Sequence, residues 1–125
     1  MNRPLPAIPA VRGVLVTGTD TDVGKTVIAA GLTAALRGHG VNAGYFKPVQ
    51  SGCREEGGRL LASDALLAQT MAGLPEPLSL LTPVTLQLPL APAVAAAQVG
   101  VSIDLELIAQ AYRTLAGRYD FLVVE

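Results

Sequence analysis

The chain of 125 residues has one cysteine, no tryptophan, 4% aromatic residues and only 15% charged residues. The single thiol, Cys53, has no partner for an internal disulfide, which excludes a disulfide-built secreted scaffold and fits a reducing, cytoplasmic setting. No run of about 18 consecutive apolar residues occurs, so the sequence offers no membrane-spanning helix. The opening MNRPLPAIPA is broken by prolines and lacks the apolar core, about 7–15 residues long, of a secretory signal. Neither charge sign is in excess: 9 basic against 10 acidic residues give a net charge of −1, which argues against nonspecific binding of nucleic-acid phosphates. What the sequence does have is apolar content, 50%, and that excludes a disordered chain. The length suits one domain.

Lysine is scarce as well. Of the 9 basic residues only Lys25 and Lys47 are lysines; the others are Arg3, Arg12, Arg37, Arg54, Arg59, Arg113 and Arg118. An ammonium is a compact point charge with rotatable donors, whereas a guanidinium is a broad planar fork. The two lysines thus stand out as positions that require the compact cation, the alternative being compositional drift toward arginine.

Residues 1–12 read as a flexible leader and 13–125 as one α/β domain. Val14–Thr17 is a short β-branched run before Gly18, the pattern of a strand buried on both faces. Residues 25–37 switch to helical spacing, with Ile28, Leu32, Ala35 and Leu36 on one stripe, and Gly38-His39-Gly40 ends that helix. A second extended segment, 42–47, is stopped by Pro48. Residues 48–60 read as a loop, Ser63 as the N-cap of a helix over 64–72, and 74–92, with five prolines, has no assignable element. Helices over 92–98 and 104–117 follow, the latter with Leu105, Ile108, Tyr112 and Leu115 on one face, and Phe121–Val124 forms a strand ending in Glu125. This alternation predicts a parallel sheet with crossover helices in three layers. A buried strand at the very end makes the chain read as an N-terminal portion of something longer.

Between the first strand and first helix stands Gly18-Thr19-Asp20-Thr21-Asp22-Val23-Gly24-Lys25-Thr26, a glycine-bearing phosphate loop that runs into a helix N-terminus. Backbone N–H groups there converge on phosphate oxygens, Lys25 reaches the β- and γ-phosphates, and the Thr26 hydroxyl ligates Mg²⁺. The first glycine lies one residue early, with Thr19 in its usual place. Asp20 and Asp22 serve either as turn formers or as acids facing an amine or metal. In parallel α/β sheets ligands bind beyond the carboxyl ends of the strands. Gly18, Lys47 and Glu125 mark three such ends. Lys47 is either a solvated edge lysine or a second ammonium at a transferring phosphoryl group. Glu125, after four apolar residues, has the placement of an acid that binds Mg²⁺. Asp64 fits the dipole at its helix start and is also a hard-oxygen ligand. Ser51 and Gly52 read as loop, His39 as a turn residue, and Cys53 has no assigned role.

The ordered set GTDTDVGKT, GYFKPVQSG, SDALLAQ and FLVVE resembles dethiobiotin synthetase, a family of P-loop NTPase type, from Gly13 to Glu125. The resemblance implies a homodimeric enzyme that makes dethiobiotin from 7,8-diaminopelargonic acid, CO2 and ATP with Mg²⁺. It implies that Asp22, Val23, Gly24, Lys25, Thr26 and Val27 hold the nucleotide and that Thr26, Asp64 and Glu125 form the metal site. It also makes Lys47 a catalytic lysine beside Lys25, with Ser51 and Thr21 at the diamine. Ala91-Pro92-Ala93-Val94 departs from the family, many of whose members have Ser-Pro-His there. Corrin-ring amidating enzymes of the same fold lack the TDTD loop followed by KPVQSG. ATP-driven partitioning switches carry a lysine five residues before the loop lysine, where this chain has Asp20. A noncatalytic ATP-binding fragment is the third alternative.

Overall fold

The computed structural model describes residues 4–18 and 24–125. Three parallel strands form the main sheet: β1 (Arg12–Leu15), β2 (Ala43–Phe46) and β7 (Phe121–Val124), in the order β1-β7-β2. Helix α1 (Lys25–Gly38) connects β1 to β2, and the chain returns to the central β7 through α5 (Leu105–Arg118). These crossovers run in opposite directions across the sheet. Right-handed connections therefore place α1 and α5 on opposite faces, giving the expected three-layer arrangement. Among the described residues, no helix is long and apolar enough to cross a membrane.

The core is built from Tyr45, Phe46, Leu122 and Val123 of the sheet together with Ala29 and Ala30 of α1 and Leu115 of α5. The buried stripe of α1 differs from the expected one. Ala29, Ala30 and Thr33 are buried, whereas Ile28 is 59% exposed. Small side chains let the helix approach the sheet, and Thr33 satisfies its hydroxyl on the Ala29 carbonyl at 2.8 Å. On α5, Leu115 is buried as expected but Leu105 is exposed, and Ala109 and Ala111 turn inward instead.

The first strand departs further. It starts at Arg12 and all four of its residues are exposed, Leu15 at 66%. It pairs with β7 on one side, and no strand lies on its other edge among the described residues. An apolar, β-branched run reports the capacity for burial, not the presence of a neighbour.

The stretch read as a loop contains β3 (Val49–Gln50) and a hairpin of β4 (Arg54–Glu56) and β5 (Arg59–Leu61). Gly57 and Gly58, both at positive φ (58° and 79°), supply the two left-handed residues of a tight hairpin turn. Helix α2 (Ser63–Ala72) follows. The proline-rich stretch holds α3 (Leu78–Leu81) and β6 (Val84–Thr85), and β6 pairs in parallel with β3. Backbone bonds extend that pairing: Cys53 N donates to Leu86 O and Gly52 N to Leu88 O. The segment leading into α4 (Pro92–Gln98) is thereby drawn beside Ser51.

Ser63 is not the cap of α2. The N-cap position is Ala62 and no side chain caps from there; instead Gln50 does so from a distant strand. Its Oε1 accepts from Asp64 N at 3.1 Å while its Nε2 donates to Ser63 Oγ at 2.9 Å. Capping chemistry was present, but it came from 14 residues upstream.

At the opposite end of the sheet, Tyr119 packs over Gly44. Its hydroxyl donates to the buried Glu76 at 2.7 Å, and the Arg37 guanidinium lies 5.8 Å from its ring centre. A Cβ at Gly44 would run into that ring. Gly44→Ala should therefore cost about 1–3 kcal/mol of stability, read as a lowered urea midpoint. A midpoint equal to wild type would show that the ring yields freely.

Burial, then the bond to Glu76, pushes the Tyr119 phenol up to about 12. Between pH 10 and 12 the unfolded chain then binds fewer protons at this site than the folded one. Stability contributed by Tyr119 is complete below pH 10 and declines through that window. Denaturation midpoints measured across it should fall less steeply in Tyr119→Phe than in wild type.

Candidate functional site

Register determines what meets at the carboxyl rim of the sheet. Val124 lies opposite Leu15 on one side and Phe46 on the other. The next residues, Glu125 and Lys47, therefore leave the sheet side by side, with Glu125 N donating to Phe46 O at 3.0 Å. Lys47 is fixed from below by its own N–H, which donates to Leu81 O at 2.9 Å. Pro48 ends the strand there, as the sequence indicated.

Helix α1 begins over the same rim. Gly24 is its N-cap, in the left-handed conformation at φ 80° and ψ 21°, which favours glycine. Among the described residues no side chain caps this helix start, and no acid occupies its first turn. Its backbone donors and its positive dipole end are thus turned toward the rim.

A cavity of about 580 Å³ occupies this position. Lys25, Thr26, Lys47, Ser51, Asp64 and Glu125 all line it, from four separate parts of the sequence. Its other wall is mainly apolar, made by Val49 and by Pro89-Leu90-Ala91-Pro92, with Gln50 between. The Val27 side chain is not part of the cavity lining, and the residue is 61% exposed on α1; the role expected of it is its backbone's. Thr21, Asp22 and Val23, with Thr19 and Asp20, lie outside the described residues.

The polar groups are closely knit. Lys47 Nζ donates to Asp64 Oδ2 at 2.6 Å and stands 3.8 Å from Glu125 Oε1. Thr26 Oγ1 donates to Glu125 Oε2 at 2.7 Å, and the hydroxyl of Tyr45 donates to Glu125 Oε1 at 2.7 Å. The Glu125 side chain is 3% exposed, so these bonds replace nearly all of its hydration. Burial first, and then the bond to Glu125, raises the Tyr45 phenol above its ordinary pKa. It remains a protonated donor at any physiological pH.

Asp64 sits in the first turn of α2, where its charge suits the dipole, and also reaches Lys47. The dipole and site readings of this residue are compatible. Tyr45 and Gln50 are participants that the sequence reading did not single out. Tyr45 looks like an ordinary core residue of a buried strand, and its hydroxyl partner is 80 positions away. Cys53 is buried, with Sγ 3.3 Å from Gln50 O, and burial raises its pKa, so its thiol is not activated. His39 is the exposed C-cap residue of α1, in keeping with a turn role.

A divalent cation fits this chemistry. Two carboxylates and a hydroxyl are hard oxygen donors at the start of a helix open to phosphate. Among the described residues no group of three or more His, Cys, Asp or Glu could hold a metal unaided.

Several proteins named ATP-dependent dethiobiotin synthetase BioD are similar to this chain. The one from Thermodesulfovibrio yellowstonii is 39% identical over 113 residues, which cover 90% of this chain and 47% of the relative. That of Caldicellulosiruptor saccharolyticus is 39% identical over 115 residues, covering 92% and 47%. That of Methanocaldococcus jannaschii is 38% identical over 116 residues, covering 90% and 50%. The chain spans about half the length of the curated relatives it matches. The model of the AAA domain family (AAA_26) matches residues 12–125, from the first strand to the acid at the rim, and the chain belongs to that family.

Proposed function

We propose that this protein acts in the cytoplasm as an ATP- and Mg²⁺-dependent dethiobiotin synthetase. It would convert 7,8-diaminopelargonic acid and CO2 to dethiobiotin, with ADP and phosphate as the other products, as a homodimer. The observation that carries the reading is the convergence of both lysines of the chain, a loop threonine and two carboxylates on one cavity beyond a parallel sheet. The names of the relatives support the choice of substrate.

In this reading the loop from Asp22 to Val27 cradles the triphosphate, with Gly24 allowing close approach and Lys25 reaching the terminal phosphates. Thr26, Asp64 and Glu125 would hold Mg²⁺, which supplies charge neutralisation at the phosphates. One amine of the substrate captures CO2 as a carbamate, and a carbamate oxygen attacks the γ-phosphorus, displacing ADP. The second amine then attacks the carbonyl carbon of the carbamic-phosphoric anhydride and expels phosphate, closing the cyclic urea. No protein nucleophile is needed. Lys47 steadies the anionic carbamate and the phosphoryl group in flight, while Ser51 and Thr21 contact the diamine.

Labelled bicarbonate should be incorporated only when ATP and diaminopelargonate are both present. Lys47→Ala should lower that turnover by about 10²–10³-fold, the range for removing one electrostatic stabiliser, with nucleotide affinity little changed. Incorporation that does not depend on diaminopelargonate would defeat the assignment.

A further inference from the structure

We infer that Tyr45 is a positioning residue of the metal–nucleotide site, holding the Glu125 carboxylate in one orientation between α1 and β2; the inference rests on the reading of this cavity given above. The terminal torsion of a glutamate is broad and poorly defined on its own. Here each oxygen is engaged by a different hydroxyl from a different element, Oε2 by Thr26 of α1 and Oε1 by Tyr45 of β2, both at 2.7 Å. Two donors on opposite oxygens define the plane of the carboxylate, and one donor would leave it free to turn.

A buried tyrosine must place its hydroxyl somewhere, so a bond alone proves little. Three features go beyond mere satisfaction. The acceptor is a side-chain carboxylate oxygen reached across 80 positions of sequence, at 2.7 Å, and not a nearby backbone carbonyl. The acceptor is also the acid that the metal-site reading requires. Finally, Tyr45 stands two residues before Lys47 on the same strand face and addresses the same oxygen, which Lys47 approaches only to 3.8 Å. By filling Oε1, Tyr45 keeps the carboxylate from closing onto the ammonium. Without the phenol, Lys47 is the nearest remaining partner for that oxygen, and the acid is drawn away from Thr26. Neutral outer partners of this kind orient ligands and set metal affinity.

The test is calorimetric binding of a non-hydrolysable ATP analogue to the full protein, with Mg²⁺ and again with EDTA. Wild type should bind more tightly with Mg²⁺. Tyr45→Phe should lose about tenfold in the Mg²⁺ arm, the lower end for removal of an outer-shell partner, and match wild type in EDTA. The double variant Tyr45→Phe/Glu125→Gln should bind no more weakly than Glu125→Gln alone, because the phenol acts through that acid. Equal losses in both arms, or additive losses in the double variant, would reduce Tyr45 to a packing role and overturn the inference. Should Tyr45→Phe fail to fold, 3-fluorotyrosine at position 45 replaces it. Its fluorine resonance should move when Mg²⁺ is added to the analogue complex, and an unmoved resonance overturns the inference. A wild type that ignores Mg²⁺ or the analogue altogether would sink the parent reading as well.

Discussion

A carboxylate with 3% of its surface in water has to be compensated by donors fixed in advance, and at Glu125 that requirement organises the neighbourhood. Its compensation comes from a hydroxyl on α1, a hydroxyl on β2 and an ammonium just past β2. Each donor ties a separate element to the end of β7. If α1 or β2 moved, a buried acceptor would lose a hydroxyl donor, at a cost of about 1–3 kcal/mol by the general rule for unsatisfied buried groups. The acid is thus a structural knot as well as a ligand candidate, and the rim is held in shape before any ligand arrives.

Upstream of that knot lies the parallel register. Val124 pairs with Leu15 and Phe46, so the first residues beyond the ladder are fixed relative to one another without side-chain help. The second level of control is the short β3–β6 pairing. It lies beyond Pro48, brings Gln50 to the start of α2 and lets that side chain cap Asp64. Asp64 then meets Lys47 at 2.6 Å. The chain from backbone ladder to ion pair has few free torsions, which is how a site assembled from residues 26, 45, 47, 64 and 125 stays precise.

Much of this was legible in the sequence because strand ends and loops have local signatures. The Gly-Lys-Thr turn, the lysine before Pro48 and the acid after four apolar residues each announce a rim position through their immediate neighbours. The Gly57-Gly58 hairpin was not read: two adjacent glycines are a hairpin signal, but the charges around them made residues 48–60 read as loop. Tyr45 and Gln50 were not legible. Their roles depend on partners 80 and 14 positions away, which no local period encodes. The exposure of β1 failed for a related reason: composition specifies what a strand tolerates, and the sheet order decides what covers it.

The division between lysine and arginine makes the same argument from charge. Three of the arginines have specific structural partners. Arg37 spans two backbone carbonyls, donating from Nε to Ala72 O at 2.9 Å and from NH1 to Ala43 O at 3.0 Å, so one fork fastens α2 to β2. Arg113 brackets the Ala7 carbonyl with two nitrogens while a third reaches Glu106. Arg118 reaches the buried Glu76. In the first two the planar fork does what an ammonium has no geometry for, holding two acceptors at fixed separation. At Lys47 the demand is reversed. One compact charge sits 2.6 Å from Asp64 and 3.8 Å from Glu125 on the wall of the cavity. A guanidinium there would pair flat against one carboxylate and fill the space. Two forks thus fasten the scaffold, at Arg37 and Arg113, while both lysines stand at the rim.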